Sequence, residues 1–143
     1  MRRFAISDRY TVADIGLEVE GDSLAELFLA AAEGMFAIIL GAYGPATHTV
    51  TIPIHLRAET HEQLLVDWLS ELIYLFDARQ LAPVDIHLTL PDAGRPEMDA
   101  KVDCRPFDRD QDPAEHEIKA VTYHRLKIER TDGPYRCHLV FDI

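Results

Sequence analysis

The chain has 143 residues, 48% of them apolar and 27% charged, which suits one globular core and excludes a disordered polymer. Its 25 acidic against 14 basic residues give a formal net charge of −11, which argues against tight, unaided nucleic-acid binding and fits a cation or a basic partner surface. Its two cysteines, Cys104 and Cys137, lie far apart and match neither a zinc-ligand spacing nor a disulfide framework, so a reducing, cytoplasmic setting is expected.

The opening Met1 to Asp8 is charged again before the apolar core of a signal peptide develops. From Tyr10 to Glu20, Ala13, Ile15, Leu17 and Val19 alternate with Asp14, Glu18 and Glu20, which predicts a strand with one buried face and Asp14 on the other. Ser23 and Glu26 then form a capping box, and Leu24, Leu27, Phe28, Ala31, Met35, Ile38 and Ile39 recur at helical spacing. Gly41 and Gly44-Pro45 stop that helix. Glu26 and Glu33 interrupt the apolar stretch from Leu24 to Tyr43, so no membrane span is expected.

His48 to Arg57 alternates as a strand. Thr60 and Gln63 cap a second helix, with Leu64, Leu65, Trp68, Leu69, Leu72, Ile73 and Phe76 on its buried side. Further strands are predicted at Val84 to Leu90, Glu97 to Arg105, Ile118 to Glu129 and Tyr135 to Ile143, separated by turns such as Thr131-Asp132-Gly133-Pro134. The order β-α-β-α followed by strands implies a single α+β domain over 1–143. Its expected form is a two-layer sandwich, a mostly antiparallel or mixed sheet with two helices on one face.

In the last strand Cys137, Leu139, Phe141 and Ile143 share one face, and His138, Val140 and Asp142 the other. A terminal strand that is apolar to its end is expected to be docked rather than frayed. If the first and last strands are neighbours, Asp14, Asp142 and the α-carboxylate of Ile143 meet at one point. Carboxylates so close repel unless a cation neutralises them, and calcium, with its several oxygen ligands, suits them; magnesium and manganese are alternatives. The simpler reading by spacing alone is two solvated aspartates. Lys119 could reach a phosphate or a partner's carboxylate, against the plainer reading of a solvated strand lysine, and His124 reads as a structural histidine on the apolar face. Nucleophile elbows, Walker loops and dinucleotide-binding glycine motifs are missing from the sequence.

The chain resembles the archease family in several blocks: Thr11-Val12-Ala13-Asp14-Ile15-Gly16-Leu17, Ser23-Leu24-Ala25-Glu26-Leu27-Phe28, Leu64 to Tyr74, Ile118-Lys119-Ala120-Val121-Thr122-Tyr123-His124 and the final Phe141-Asp142-Ile143. The resemblance implies a two-layer α+β fold and a metal site, assigned as calcium, at Asp14, Asp142 and Ile143. It implies an accessory protein rather than an enzyme, one that promotes guanylylation and multiple turnover of an RtcB-type RNA ligase in tRNA splicing or RNA repair. Lys119 would then contact nucleotide phosphate or ligase. Where the family usually has His-Thr before Ala-Asp-Ile, this sequence has Thr11-Val12, which puts the strength of metal binding in question. The competing reading is a chaperone-like interaction module without a metal-dependent role.

Overall fold

The computed structural model describes residues 1–7, 14–41, 49–91, 94–108, 110, 114–130 and 132–143. The elements in chain order are β1 (Arg2–Ser7), β2 (Asp14–Gly21), α1 (Leu24–Leu40), β3 (Val50–Arg57), α2 (His61–Arg79), β4 (Leu81–Thr89), β5 (Glu97–Pro106), β6 (Ala120–Thr122), β7 (Glu129–Arg130) and β8 (Tyr135–Asp142). Strands and helices pack as an α+β sandwich, as the element order predicts.

Both helices begin where the caps predict. The Ser23 hydroxyl accepts the Glu26 N–H at 3.1 Å, and the Thr60 hydroxyl accepts the Gln63 N–H at 3.1 Å. The first box is not closed on Ser23 as expected. The Glu26 carboxylate instead accepts the Asp22 N–H at 3.0 Å and pairs with the Met1 ammonium. α1 ends at Gly41, whose φ of 64° is open to glycine without strain. Gly44 and Pro45 lie outside the described residues.

The strands divide into two antiparallel sheets rather than one. The larger runs β1-β2-β8-β6, with β7 also paired to β8, and the smaller runs β3-β5-β4. One apolar cluster joins both to the helices. Leu17, Leu139 and Phe141 of the larger sheet and Met98, Val102 and Cys104 of the smaller are all fully buried against it. Trp68 is fully buried too, and its indole N–H donates to the Phe28 carbonyl at 3.2 Å, so the ring pins α2 to α1.

β1 falls in a segment without a strand prediction. Its signal was the alternation of Phe4 and Ile6 with Arg3, Ala5 and Ser7. β4 starts at Leu81, ahead of Pro83; an edge strand tolerates a residue with no N–H to donate. Residues 10–13 and His48 lie outside the described residues, so β2 and β3 are seen from Asp14 and Val50 onward.

The long strand expected over Ile118 to Glu129 is a correction. Only Ala120–Thr122 and Glu129–Arg130 join the sheet, because Arg125 turns the chain with a left-handed φ of 52°. The face on which His124 was expected is also not the core face. Val121 faces the core opposite Phe141, while Ala120 and Thr122 lie opposite Asp142 and Val140 on the outer face.

Candidate functional site

Register builds the site. β2 and β8 run antiparallel, and their pairing makes Asp14 the direct partner of Asp142. Direct partners share a face, with Cβ atoms about 4.5–5.5 Å apart in general. Inward-facing Leu17, Leu139 and Phe141 fix that register, since a slip of one residue would put the carboxylates into the core. On the far side of β8 the row continues to Ala120 of β6. The strand end is thus a row of three, Asp14, Asp142 and Ala120. Both aspartates are partly exposed.

Just before β6, the Lys119 N–H donates to the Asp142 carbonyl at 2.7 Å. That bond fixes the Lys119 backbone beside the aspartate row, and its side chain is exposed. Ile143 is half-buried and packs against the apolar cluster, so the end of the described chain is docked. The structure therefore brings Asp14, Asp142, Ile143 and Lys119 to one end of the larger sheet. His124 differs from its expected place: it is exposed on the turn after β6, where its N–H donates to the Thr122 hydroxyl at 3.3 Å.

Chemically, the row offers hard oxygen donors on a strand scaffold. Such donors suit a divalent cation of the calcium or magnesium type better than a soft one. The cysteines take no part. Both are buried in the core, and desolvation pushes the Cys104 thiol up to about 11 and the Cys137 thiol up to about 12.

A second grouping of ligand-type side chains lies on the outer face of the smaller sheet. Asp85, His87 and Asp103 hold their donor atoms within 4.8 Å of one another. A bulge between Pro83 and Asp85 brings Asp85 opposite Asp103. The sequence signal was Asp-x-His on one strand, but the partner strand and the bulge are tertiary facts. These side chains already serve one another. His87 Nε2 lies 3.2 Å from Asp85, and the Thr51 hydroxyl donates to Asp103 at 2.6 Å.

The larger sheet of this α+β sandwich thus presents an acidic strand end, a feature that a cation or a basic partner surface can occupy. Among the described residues, no helix is long and apolar enough to cross a membrane. The model of the archease protein family matches residues 7–143, and the chain belongs to that family. The archease of Pyrococcus furiosus is 36% identical over 133 residues, covering 92% of this chain and 93% of that protein. The archease of Methanosarcina mazei is 33% identical, covering 92% and 90%. A crystal structure of an archease from Thermotoga maritima, described as a possible chaperone, superposes with a TM-score of 0.62 at 28% identity over 96% of each chain. The solution structure of Methanobacterium thermoautotrophicum protein 1598 shares the fold with a TM-score of 0.78 at 23% identity over 98% of each chain.

Proposed function

We propose that this protein is a metal-binding accessory factor that promotes guanylylation and multiple turnover of an RtcB-type RNA ligase, and that it does not itself catalyse the reaction. The observation that carries the reading is the direct register of Asp14 on Asp142 at the strand end. Family membership supports an accessory role in general, and the ligase is this proposal's specific partner.

Asp14, Asp142 and the α-carboxylate of Ile143 would hold a divalent cation, with calcium the best match to an all-oxygen set. Such an ion, when bound, supplies positive charge to a phosphoryl-transfer site. The chain's own groups do the rest. The docked strand presents the carboxylates at a rigid end, and the Lys119 N–H to the Asp142 carbonyl keeps that end closed. The exposed Lys119 ammonium is placed to meet a nucleotide phosphate or an acidic side chain of the ligase. Phosphoryl transfer depends chiefly on positioning and charge stabilisation, which an accessory protein can supply.

The test is ligase guanylylation with radiolabelled GTP, with and without this protein. Faster adduct formation is expected, with the acceleration lost in Asp142→Ala and strongly reduced in Asp14→Ala. An extension beyond Ile143 is expected to reduce it as well. If both alanine variants stimulate like the parent, the metal-independent chaperone reading replaces this one.

A further inference from the structure

One edge of β8 is paired only at its ends. β6 takes Val140–Asp142 and β7 takes Tyr135–Arg136. Between them residues 123–128 leave the ladder, and Arg125 and Lys127 share a cleft with His138. The departure is an ordered turn: the Leu126 N–H donates to the Tyr123 carbonyl at 3.1 Å, and Arg125 adopts the left-handed conformation. The turn displays Tyr123, 57% exposed, with His124 and Arg125 exposed beside it. The hydrogen-bonded turn holds this aromatic ring in solvent next to an exposed arginine.

Charge is distributed unevenly around this feature. Residues 119–136 contain five of the 14 lysines and arginines and only two of the 25 acidic residues. Through Arg125 the turn borders an open cleft of about 700 Å³ on the outer side of the larger sheet, whose lining also includes Arg3, Lys127 and Arg136. Its three carboxylates are engaged. Glu20 is shared by Arg3 and Arg136, Glu129 lies 3.8 Å from Lys127, and Glu18 lies 3.9 Å from His138. Arg125 makes no ion pair among the described residues, so its guanidinium stays available to an incoming anion.

We propose that this turn and cleft bind a single-stranded nucleic acid. The Tyr123 ring stacks on a base, and Arg125, Lys127 and Arg136 contact the phosphates behind it. An exposed ring beside guanidinium and ammonium groups is the arrangement that recognises unpaired strands, because every base has a π-face and every nucleotide a phosphate. A duplex hides those faces. An acidic peptide would match the cations but leave the tyrosine without a partner. The net charge of −11 keeps the binding weak and makes it fall steeply with salt. The cleft lies toward the opposite end of β8 from Asp142, with Tyr123 just past β6 between the two, and the proposal goes beyond the ligase reading.

The test uses the full chain without any ligase, so it can fail while guanylylation succeeds, and the reverse. Fluorescence anisotropy is measured with labelled RNA and DNA strands of about 12 nucleotides, a matching RNA duplex and a polyglutamate peptide, at low and moderate salt. The parent is expected to bind single strands, with duplex and polyglutamate bound at least tenfold more weakly. Arg125→Glu with Lys127→Glu should weaken strand binding about tenfold or more and flatten its salt dependence. Tyr123→Ala should weaken it several-fold, and Tyr123→Phe should restore it. All these side chains are exposed, and unchanged thermal melting will show that the variants fold. RNA bound as well as or better than DNA agrees with the proposal, as does the reverse order. No strand binding by the parent, unchanged affinity in the double variant, or tighter binding of duplex or polyglutamate overturns it.

Discussion

In the larger sheet Asp14 lies directly across from Asp142; in the smaller, Asp85 lies directly across from Asp103. Both pairs are on outer faces, and both put two carboxylates side by side. Their neighbours differ. The row in the smaller sheet ends in Thr51, whose hydroxyl donates to Asp103, and His87 flanks Asp85. The row in the larger sheet ends in Ala120, which offers neither carboxylate a side-chain donor from that flank. It also lies where three strands and the end of the described chain converge. Facing carboxylates are therefore a common product of register, and the third strand sets what stands beside them: a hydroxyl donor in the smaller sheet, a methyl group in the larger.

The largest effect that can probe this contrast lies behind each row. Phe141 and Met98 are both fully buried on inward faces. Phe141→Ala is expected to lower the unfolding free energy by about 3–5 kcal/mol and Met98→Ala by about 2–5 kcal/mol, measured by urea titration with Trp68 fluorescence as the probe. Only Phe141→Ala should also reduce stimulation of the ligase under conditions where both variants remain folded, because it loosens the strand that carries Asp142. Equal losses of stimulation would mean that general stability, not the β2–β8 end, governs that activity.

Next in size comes the ion itself. Calcium at a hundredfold excess over its dissociation constant should stabilise the parent by about 2.7 kcal/mol, seen as a rise in melting temperature. Asp14→Asn should abolish that rise and Asp103→Asn should leave it intact. The opposite pattern would move the cation to the smaller sheet and reverse the comparison.

The sequence reveals more of the first sheet than of the second. Alternation along β2 and β8 correctly separated Leu17, Leu139 and Phe141 from Asp14 and Asp142, because a half-buried strand writes its two faces into the chain at period two. Both caps and both helices could be read for a similar reason: their signals are local. That β2 and β8 are neighbours is not local, and the resemblance in Asp14 and the final Asp142-Ile143 pointed to it. Asp85 and Asp103 escaped notice because a bulge, which no periodicity encodes, brings them opposite each other. The break at Arg125 was missed because a left-handed arginine carries no glycine or proline marker, and the run of apolar and β-branched residues around it reads as continuous strand. Residues 10–13, where Thr11-Val12 departs from the family pattern, lie outside the described residues.

Each sheet also buries one thiol, which permits a comparison by pH. Burial raises Cys104 from the ordinary 9.0 to about 11 and Cys137 to about 12. A raised folded-state value favours the native state fully below pH 9, and that contribution drains away as pH climbs through the folded-state values. Stability should therefore fall between pH 9 and about 12. Cys137→Ala should flatten that alkaline slope more than Cys104→Ala, because its window is wider. Equal flattening would show that the two sheets exclude water alike.

The smallest expected effect concerns how the edge of the larger sheet is tied down. Glu20 of β2 stands between Arg3 of β1 and Arg136 of β8, and the Arg3 hydrogen bond is the main cause that holds its carboxyl below the ordinary value of 4.5, with Arg136 adding less and burial opposing. A lowered folded-state value contributes stability above pH 4.5 that is lost as pH falls through the lower, folded-state value. Glu20 is half-buried but both arginines are exposed, so the pairs are screened and their contribution is small and shrinks with salt. Glu20→Gln should therefore flatten the acid limb of stability below pH 4.5, visible in low-salt melting curves and muted at high salt. Arg3→Ala should reproduce most of that change and Arg136→Ala only part of it. The smaller sheet offers a control, since its exposed His55–Asp99 contact at 2.7 Å joins β3 to β5 without an arginine. If Arg136→Ala moved the acid limb as far as Arg3→Ala, the carboxylate would be anchored to the centre of the sheet, and β1 would rely on its backbone ladder and on the Met1–Glu26 and Arg2–Glu33 pairs to α1 instead.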